Sequence, residues 1–264
     1  MLLNELNLKQ LEPKKSNDPA QAKFNILSKT TDYSTNKEPL GFGAFATAHS
    51  TKQEPGTATK VVEPTQDLKR DGYFQYVKML ASHKEGTNNR YFPKIYNVEV
   101  FEDSSGTYTY SVDMERLHKF TDLSTEELLT IGNHIFSNFD QMIQHWNRTR
   151  QENRRKDKFH RQGMLNARKH HKAYKVQEDN KYEYVSQALL SGVSNAIKSG
   201  SSDIATNIKD SEFKRATMMI RGLIMRSHQD DWSYEWIVAD IHQGNIMVRR
   251  GPFMPQLVIT DPLV

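Results

Sequence analysis

No cysteine occurs among the 264 residues. That excludes a disulfide framework and a thiolate metal site, and leaves the chemistry to oxygen and nitrogen groups. Apolar runs extend only a few residues, and Met1-Leu2-Leu3-Asn4-Glu5 opens the chain without the basic stretch and apolar core of a secretory signal. The expectation is a non-secreted cytoplasmic protein with no membrane contact. Charge is nearly balanced overall at +4, but it is unevenly placed. Residues 148–175 hold eleven Lys or Arg against Glu152 and Asp157, a surplus of nine, so the remainder of the chain carries −5. An anionic partner, either an acidic protein or nucleic acid, is therefore to be sought at 148–175, where the bland alternative is a solvated insertion.

The length accommodates one large domain or two lobes. Residues 1–38 are polar and interrupted by Pro13 and Pro19, which predicts a loosely packed lead-in with a short helix near 19–27. The texture changes at Leu40-Gly41-Phe42-Gly43-Ala44-Phe45, a Gly-x-Gly followed by an aromatic, and a Pro55-Gly56 turn then leads to Thr57-Ala58-Thr59-Lys60-Val61-Val62. Glycines let backbone N–H groups approach phosphate oxygens, and a lysine on the next strand can reach the same phosphates. The plain alternatives are an ordinary hairpin turn and a solvated strand lysine. Ala46 stands where a third glycine would complete the loop pattern.

Helical spacing of Tyr73, Phe74, Val77, Met79 and Leu80 predicts a helix over 67–83. Asp71, Asp67 and Glu63 are its candidate acids for holding Lys60; Asp71 is equally suited to be a helix N-terminal charge. Strands are predicted at 96–102 and 107–113 around the turn Asp103-Ser104-Ser105-Gly106. Met114-Glu115-Arg116-Leu117 follows, in the right place for a hinge whose backbone pairs with adenine. From Ser124 the period becomes helical: a capping box opens a stripe of Ile131, Ile135, Phe139, Met142 and Trp146. Further helices are predicted at 182–197 and 211–225.

The densest chemistry lies near the end of the chain, in Asp240-Ile241-His242-Gln243-Gly244-Asn245 and, after two short apolar runs, Ile259-Thr260-Asp261. Two carboxylates and a carboxamide at the ends of apolar runs suit a divalent metal carrying phosphate. Glycine loop, strand lysine, helix, hairpin, linker, helices, Asp-x-x-x-x-Asn and a final Asp appear in the succession that a kinase-type fold requires.

On Leu40-Gly41-x-Gly43-x-Phe45, Pro93-x-x-Tyr96-x-Val98, Asp240-x-His242-x-Gly244-Asn245-Ile246-Met247 and Ile259-Thr260-Asp261-Pro262, the chain resembles the early serine/threonine protein kinases of podoviruses, the host-shutoff kinases. More distantly, Asp240-x-His242-x-x-Asn245 is similar to aminoglycoside-type phosphotransferases. The likeness runs through short blocks and leaves the middle uncovered. It implies an α+β, reduced two-lobe protein-kinase-like fold. A small antiparallel-sheet N-lobe would span 39–118, and a mainly helical, truncated C-lobe 119–264, with the basic insertion at 148–175 and the catalytic hairpin at 236–264.

The same resemblance implies ATP and Mg²⁺ as cofactors and host proteins, or the chain itself, as substrates, in the host cytoplasm if the chain is phage-encoded. Asp240 would accept the acceptor proton. Asn245 and Asp261 would hold the metal. Lys60 and the Gly41–Phe45 backbone (Gly41, Phe42, Gly43, Ala44, Phe45) would fix the triphosphate, with Glu115 and Leu117 at the base. His242 would either contact the transferring phosphate or brace the loop. Pro262 stands where such kinases place a glycine-containing switch. Only Pro262, Leu263 and Val264 follow Asp261, so the acceptor site is expected from residues 124–230 or from a longer chain. Two other readings stay open: a small-molecule phosphotransferase, and a non-catalytic kinase-like module that binds a host factor or nucleic acid through its basic segment.

Overall fold

A computed structural model describes residues 11–15, 26–30, 39–42, 46–51, 56–83, 88–149, 152, 181–198, 207–227 and 237–264. The strands, in chain order, are β1 (Lys14–Lys15), β2 (Gly41–Phe42), β3 (Ala46–Ser50), β4 (Thr57–Thr65), β5 (Ile95–Glu102), β6 (Tyr108–Glu115), β7 (His118–Lys119), β8 (Ile246–Arg249) and β9 (Gln256–Ile259). The α-helices are α1 (Gly72–Ser82), α2 (Thr125–Ile135), α3 (Lys181–Lys198) and α4 (Ser211–Ser227), and residues 139–149 are also helical.

Apolar alternation in β4, β5 and β6 builds a six-stranded sheet ordered β1-β5-β6-β4-β3-β2. Its neighbours are antiparallel except β1, which lies parallel to β5. One cross-strand row runs Gly41, Ala48, Lys60, Val112, Val98. Val98 and Val112 of that row are buried in the same core as Tyr73, Phe74, Tyr76 and Val77 of α1. Because the side-chain period of a strand is two, Lys60 shares a face with Val112 and Val98, the face that packs against α1. Asp71 starts α1: its Oδ1 accepts the Phe74 N–H at 2.8 Å, and the helix ends where His83 turns extended.

The second half is helical. At α2, Ser124 Oγ accepts the Glu127 N–H at 3.2 Å while Glu127 Oε2 accepts the Ser124 N–H at 2.8 Å, the reciprocal capping box. The stripe from Ile131 to Trp146 does not lie on one continuous helix. The α-helix stops at Phe136, which bridges to Ile208, and helix resumes at 139. Gly132 permits the break, since a Cβ there would sit 2.1 Å from the Phe139 ring that folds back onto it. Leu128, Ile131, Val185, Leu189, Val193, Phe213 and Ile220 bring α2, α3 and α4 into the common core.

The fold is α+β, with an antiparallel-rich sheet and a helical second half. The lead-in departs from expectation: Lys14–Lys15 forms a sheet edge, and Leu11 and Ile26 are buried. Most of the basic segment 148–175 and of the predicted 19–27 helix lies outside the described residues. Among the described residues no helix is long and apolar enough to cross a membrane.

Candidate functional site

The second sheet, β7-β8-β9, is a hairpin with a short flanking strand. Its register pairs Ile246 with Ile259, which sets Asn245 opposite Thr260 at the open end. The Asn245 carbonyl accepts the Thr260 N–H at 3.0 Å, the Thr260 hydroxyl at 2.9 Å and the Asp261 N–H at 3.3 Å. A second pairing lies beside it. Val238 N–H donates to Val264 O at 2.8 Å, Val264 N–H returns to Val238 O at 3.0 Å, and Asp240 N–H donates to Pro262 O at 2.8 Å. Pro262, Leu263 and Val264 are thus the backbone support from which Asp240 hangs. Pro262 suits the position because only its carbonyl is used there.

Within the loop, Asn245 Nδ2 donates to Asp240 O at 2.9 Å and to Asp240 Oδ2 at 3.0 Å. The Gly244 N–H donates to His242 Nδ1 at 3.0 Å. A neutral His242 must then carry its proton on Nε2, which stands 3.5 Å from Asp240 Oδ2. His242 is thereby tied into its own loop. A Cβ on Gly244 would lie 2.8 Å from His242 Cε1, so a larger residue there would push the imidazole from its place in the loop.

Lys60 reaches this loop from the sheet. Its Nζ lies 2.5 Å from Asp261 Oδ2 and 3.5 Å from the centroid of the Tyr73 ring. Both ionic partners are largely shielded, with side chains 17 % and 27 % exposed. The helix that carries Tyr73 is tied to the hairpin directly. Tyr76 OH donates to Ile259 O at 2.5 Å, and a Cβ on Gly72 would lie 3.0 Å from the backbone of Leu263 and Val264. Lys60, Asp261, Asn245, Asp240 and His242 therefore form one connected set.

Other predicted residues fare differently. Gly41 closes the row that holds Lys60, and Phe42 pairs through its backbone with Thr47. Gly43, Ala44 and Phe45 lie outside the described residues. The Glu115 N–H donates to Lys94 O at 2.9 Å, and its carboxylate is held by the guanidinium of Arg249, with Nε–Oε2 at 2.8 Å. Arg249 also donates to the carbonyls of Arg90 and Phe92 at 2.7 and 3.0 Å. Glu115 is thus a brace between the two sheets. Leu117 is half-buried in the link to β7.

Asp71 does not hold Lys60 by an ion pair: its Oδ1 accepts from Phe74 N–H and from Tyr110 OH at 2.9 Å. Burial, and then the charge of Asp261, raise its carboxyl above the usual range against the pull of those hydrogen bonds and of Lys60. Tyr73, Thr260 and Arg249 were not singled out from sequence. Tyr73 reads there as one more apolar helix position, and nothing local marks Arg249.

Asn245 and Asp261 supply oxygen atoms of the kind that magnesium binds. With Nδ2 of Asn245 engaged by Asp240, its Oδ1 is the side-chain atom that could face a metal. Among the described residues no group of three or more His, Asp or Glu could hold a metal by itself. Magnesium does not demand one, since it binds through one or two protein oxygens plus phosphates and waters.

No family model matches the chain, and no curated protein does.

A separate cleft of about 630 Å³ is lined by Arg90, His134, Lys209, Asp210, Ser211 and Glu212, and shares no residue with the Lys60 cluster. Asp210, 4 % exposed, organises it. It accepts the Glu212 and Phe213 N–H groups at 2.9 Å, capping α4, and also Tyr91 OH at 2.9 Å, His134 and Arg90. Its charges answer one another, which marks a structural junction between sheet and helices.

Proposed function

We propose that the chain is a kinase-like phosphotransferase that moves the γ-phosphoryl group of ATP to a protein serine or threonine, in the manner of the podovirus early kinases it resembles. The observation that carries this reading is the meeting of Lys60 from the first sheet with Asp261 at the end of the hairpin, beside Asn245 and Asp240. A metal clip needs these groups converging on one triphosphate, whereas an ordinary core has no use for a lysine on its inner row.

Bound Mg²⁺ would neutralise charge on the β- and γ-phosphates. Asn245 and Asp261 would hold it, and Lys60 would turn from Asp261 to the phosphate oxygens. Asp240, 44 % exposed and steadied by Asn245 and His242, would take the proton of the acceptor hydroxyl. The hydroxyl oxygen then forms its bond to the γ-phosphorus, the bond to the β-phosphate oxygen breaks, and ADP leaves.

A small-molecule acceptor is the second reading, favoured by the Asp240-x-His242-x-x-Asn245 spacing and the contact between His242 and Asp240. The test is labelling from γ-³²P-ATP and Mg²⁺, with host lysate proteins and aminoglycosides offered in parallel, comparing wild type with Asp240→Ala. Protein labelling that disappears in the variant supports the kinase. Labelling of the small acceptor alone moves the reading to the second class, and equal labelling by the variant overturns both.

A further inference from the structure

We propose that the face of the Tyr73 ring is the positioning group for Lys60, holding the ammonium in the cleft when Asp261 turns to a metal; this rests on the phosphotransfer reading above. A strand lysine that serves a triphosphate needs a second partner, because its first, Asp261, is also the candidate metal ligand. The nearest helix supplies no carboxylate in an ion pair with it. Asp71 caps α1 and accepts from Tyr110, as described. What stands against the ammonium is an aromatic face, 3.5 Å from Nζ to ring centroid, well inside the range over which a ring quadrupole attracts a cation.

Three features make the ring, rather than the hydroxyl, the working part. Tyr73 lies in the first turn of α1, and its ring is stacked near Tyr110 with centroids 6.4 Å apart and planes 19° from parallel. Its orientation is therefore set by packing. The hydroxyl is buried and has no hydrogen-bond partner among the described residues. The ring is also neutral, so it attracts Lys60 without repelling phosphate or competing for Mg²⁺, as a second carboxylate would.

The test has a spectroscopic and a kinetic arm, each on wild type, Tyr73→Phe and Tyr73→Leu. In protein carrying ¹³Cε-lysine and no nucleotide, the Lys60 methylene protons are expected upfield, shifted by the ring current in wild type and Tyr73→Phe and returned to ordinary positions in Tyr73→Leu. With MgATP, Tyr73→Phe should stay within about twofold of wild type, while Tyr73→Leu should raise the nucleotide KM about three- to thirtyfold, more than it lowers kcat. An unshifted Lys60 in wild type, or wild-type nucleotide affinity in Tyr73→Leu, overturns the proposal. If Tyr73→Leu does not fold, phenylalanine analogues bearing successive ring fluorines keep the shape and drain the face of negative charge. Nucleotide affinity should then fall stepwise, and a flat series overturns the proposal. Absence of nucleotide binding in wild type sinks the phosphotransfer reading and the ring's role with it. Binding in wild type with an unshifted Lys60 sinks the ring's role alone.

Discussion

Lys60 and Asp261 stand 201 residues apart in the chain and 2.5 Å apart in space, Nζ to Oδ2. Lys60→Met and Asp261→Asn should each lower phosphate transfer by about a hundredfold or more, and the double variant should be little worse than either single one, because the two act as a unit. Each single change should also lower stability by about 3 kcal/mol in chemical denaturation, because it leaves a largely shielded partner charge unpaired. Single variants that retain activity within tenfold would separate the pair from catalysis.

Gly72 touches the support of the site. A Cβ there meets backbone atoms of Leu263 and Val264 at 3.0 Å, and backbone cannot swing aside as a side chain can. Gly72→Ala should cost about 1–3 kcal/mol by overpacking, and should reduce activity because Asp240 is carried by the same paired segment. Gly222→Ala is the control: its Cβ meets only the Arg226 side chain at 3.5 Å, within α4. That change should stabilise by about 0.5–1 kcal/mol through helix propensity. Equal melting temperatures for the two variants would contradict the contact.

Glu115 offers a choice between two roles. As the brace described here, with Glu115 and Arg249 side chains only 11 % and 24 % exposed, Glu115→Gln should lower stability by about 3 kcal/mol, the scale for a buried pair broken on one side. The nucleotide KM should hardly change. A raised KM with unchanged stability would instead return Glu115 to the hinge role first read from its position.

Two carboxylates should give opposite pH signatures. For Asp210, burial pushes the carboxyl up, but the Phe213 N–H, the Tyr91 hydroxyl and Arg90 together bring it below its ordinary value. Its contribution to stability is thus complete above the unfolded value of about 3.9 and disappears as pH falls through the lower folded value. Asp71, raised by burial, behaves in reverse: between the unfolded value and the higher folded one the native state binds more protons, so stability falls as pH rises through that window. Asp210→Asn should flatten the acid limb of a stability profile. Asp71→Asn, which keeps an N-cap oxygen, should flatten the window just above. Unchanged profiles would refute both assignments.

Much of this molecule was legible from local pattern. The helix at α1, the hairpin of β5 and β6, the α2 capping box and the β8–β9 hairpin announce themselves, because periodicity, caps and turns act between residues close in sequence. The order of glycine loop, lysine, Asp240, Asn245 and Asp261 was equally readable, since it is a matter of spacing. What stayed hidden depends on partners far along the chain. Lys14–Lys15 looks like any polar dipeptide until β5 lies beside it. The break at 136–138 follows from Phe139 folding onto Gly132 and Phe136 meeting Ile208, which no helical period records.

Sequence by itself settled most of the regular elements, the absence of thiol chemistry and the identity of the polar groups near the chain's end, because these depend on residue type and on neighbours within a few positions. Only the tertiary structure decided which groups meet. It put Lys60 on the sheet face that packs against α1, set the Tyr73 ring over its ammonium, gave Glu115 to Arg249 and made residues 262–264 the support of Asp240. Strand register and helix docking are set by burial of a shared core, and a contact across 201 residues exists only once that core has closed.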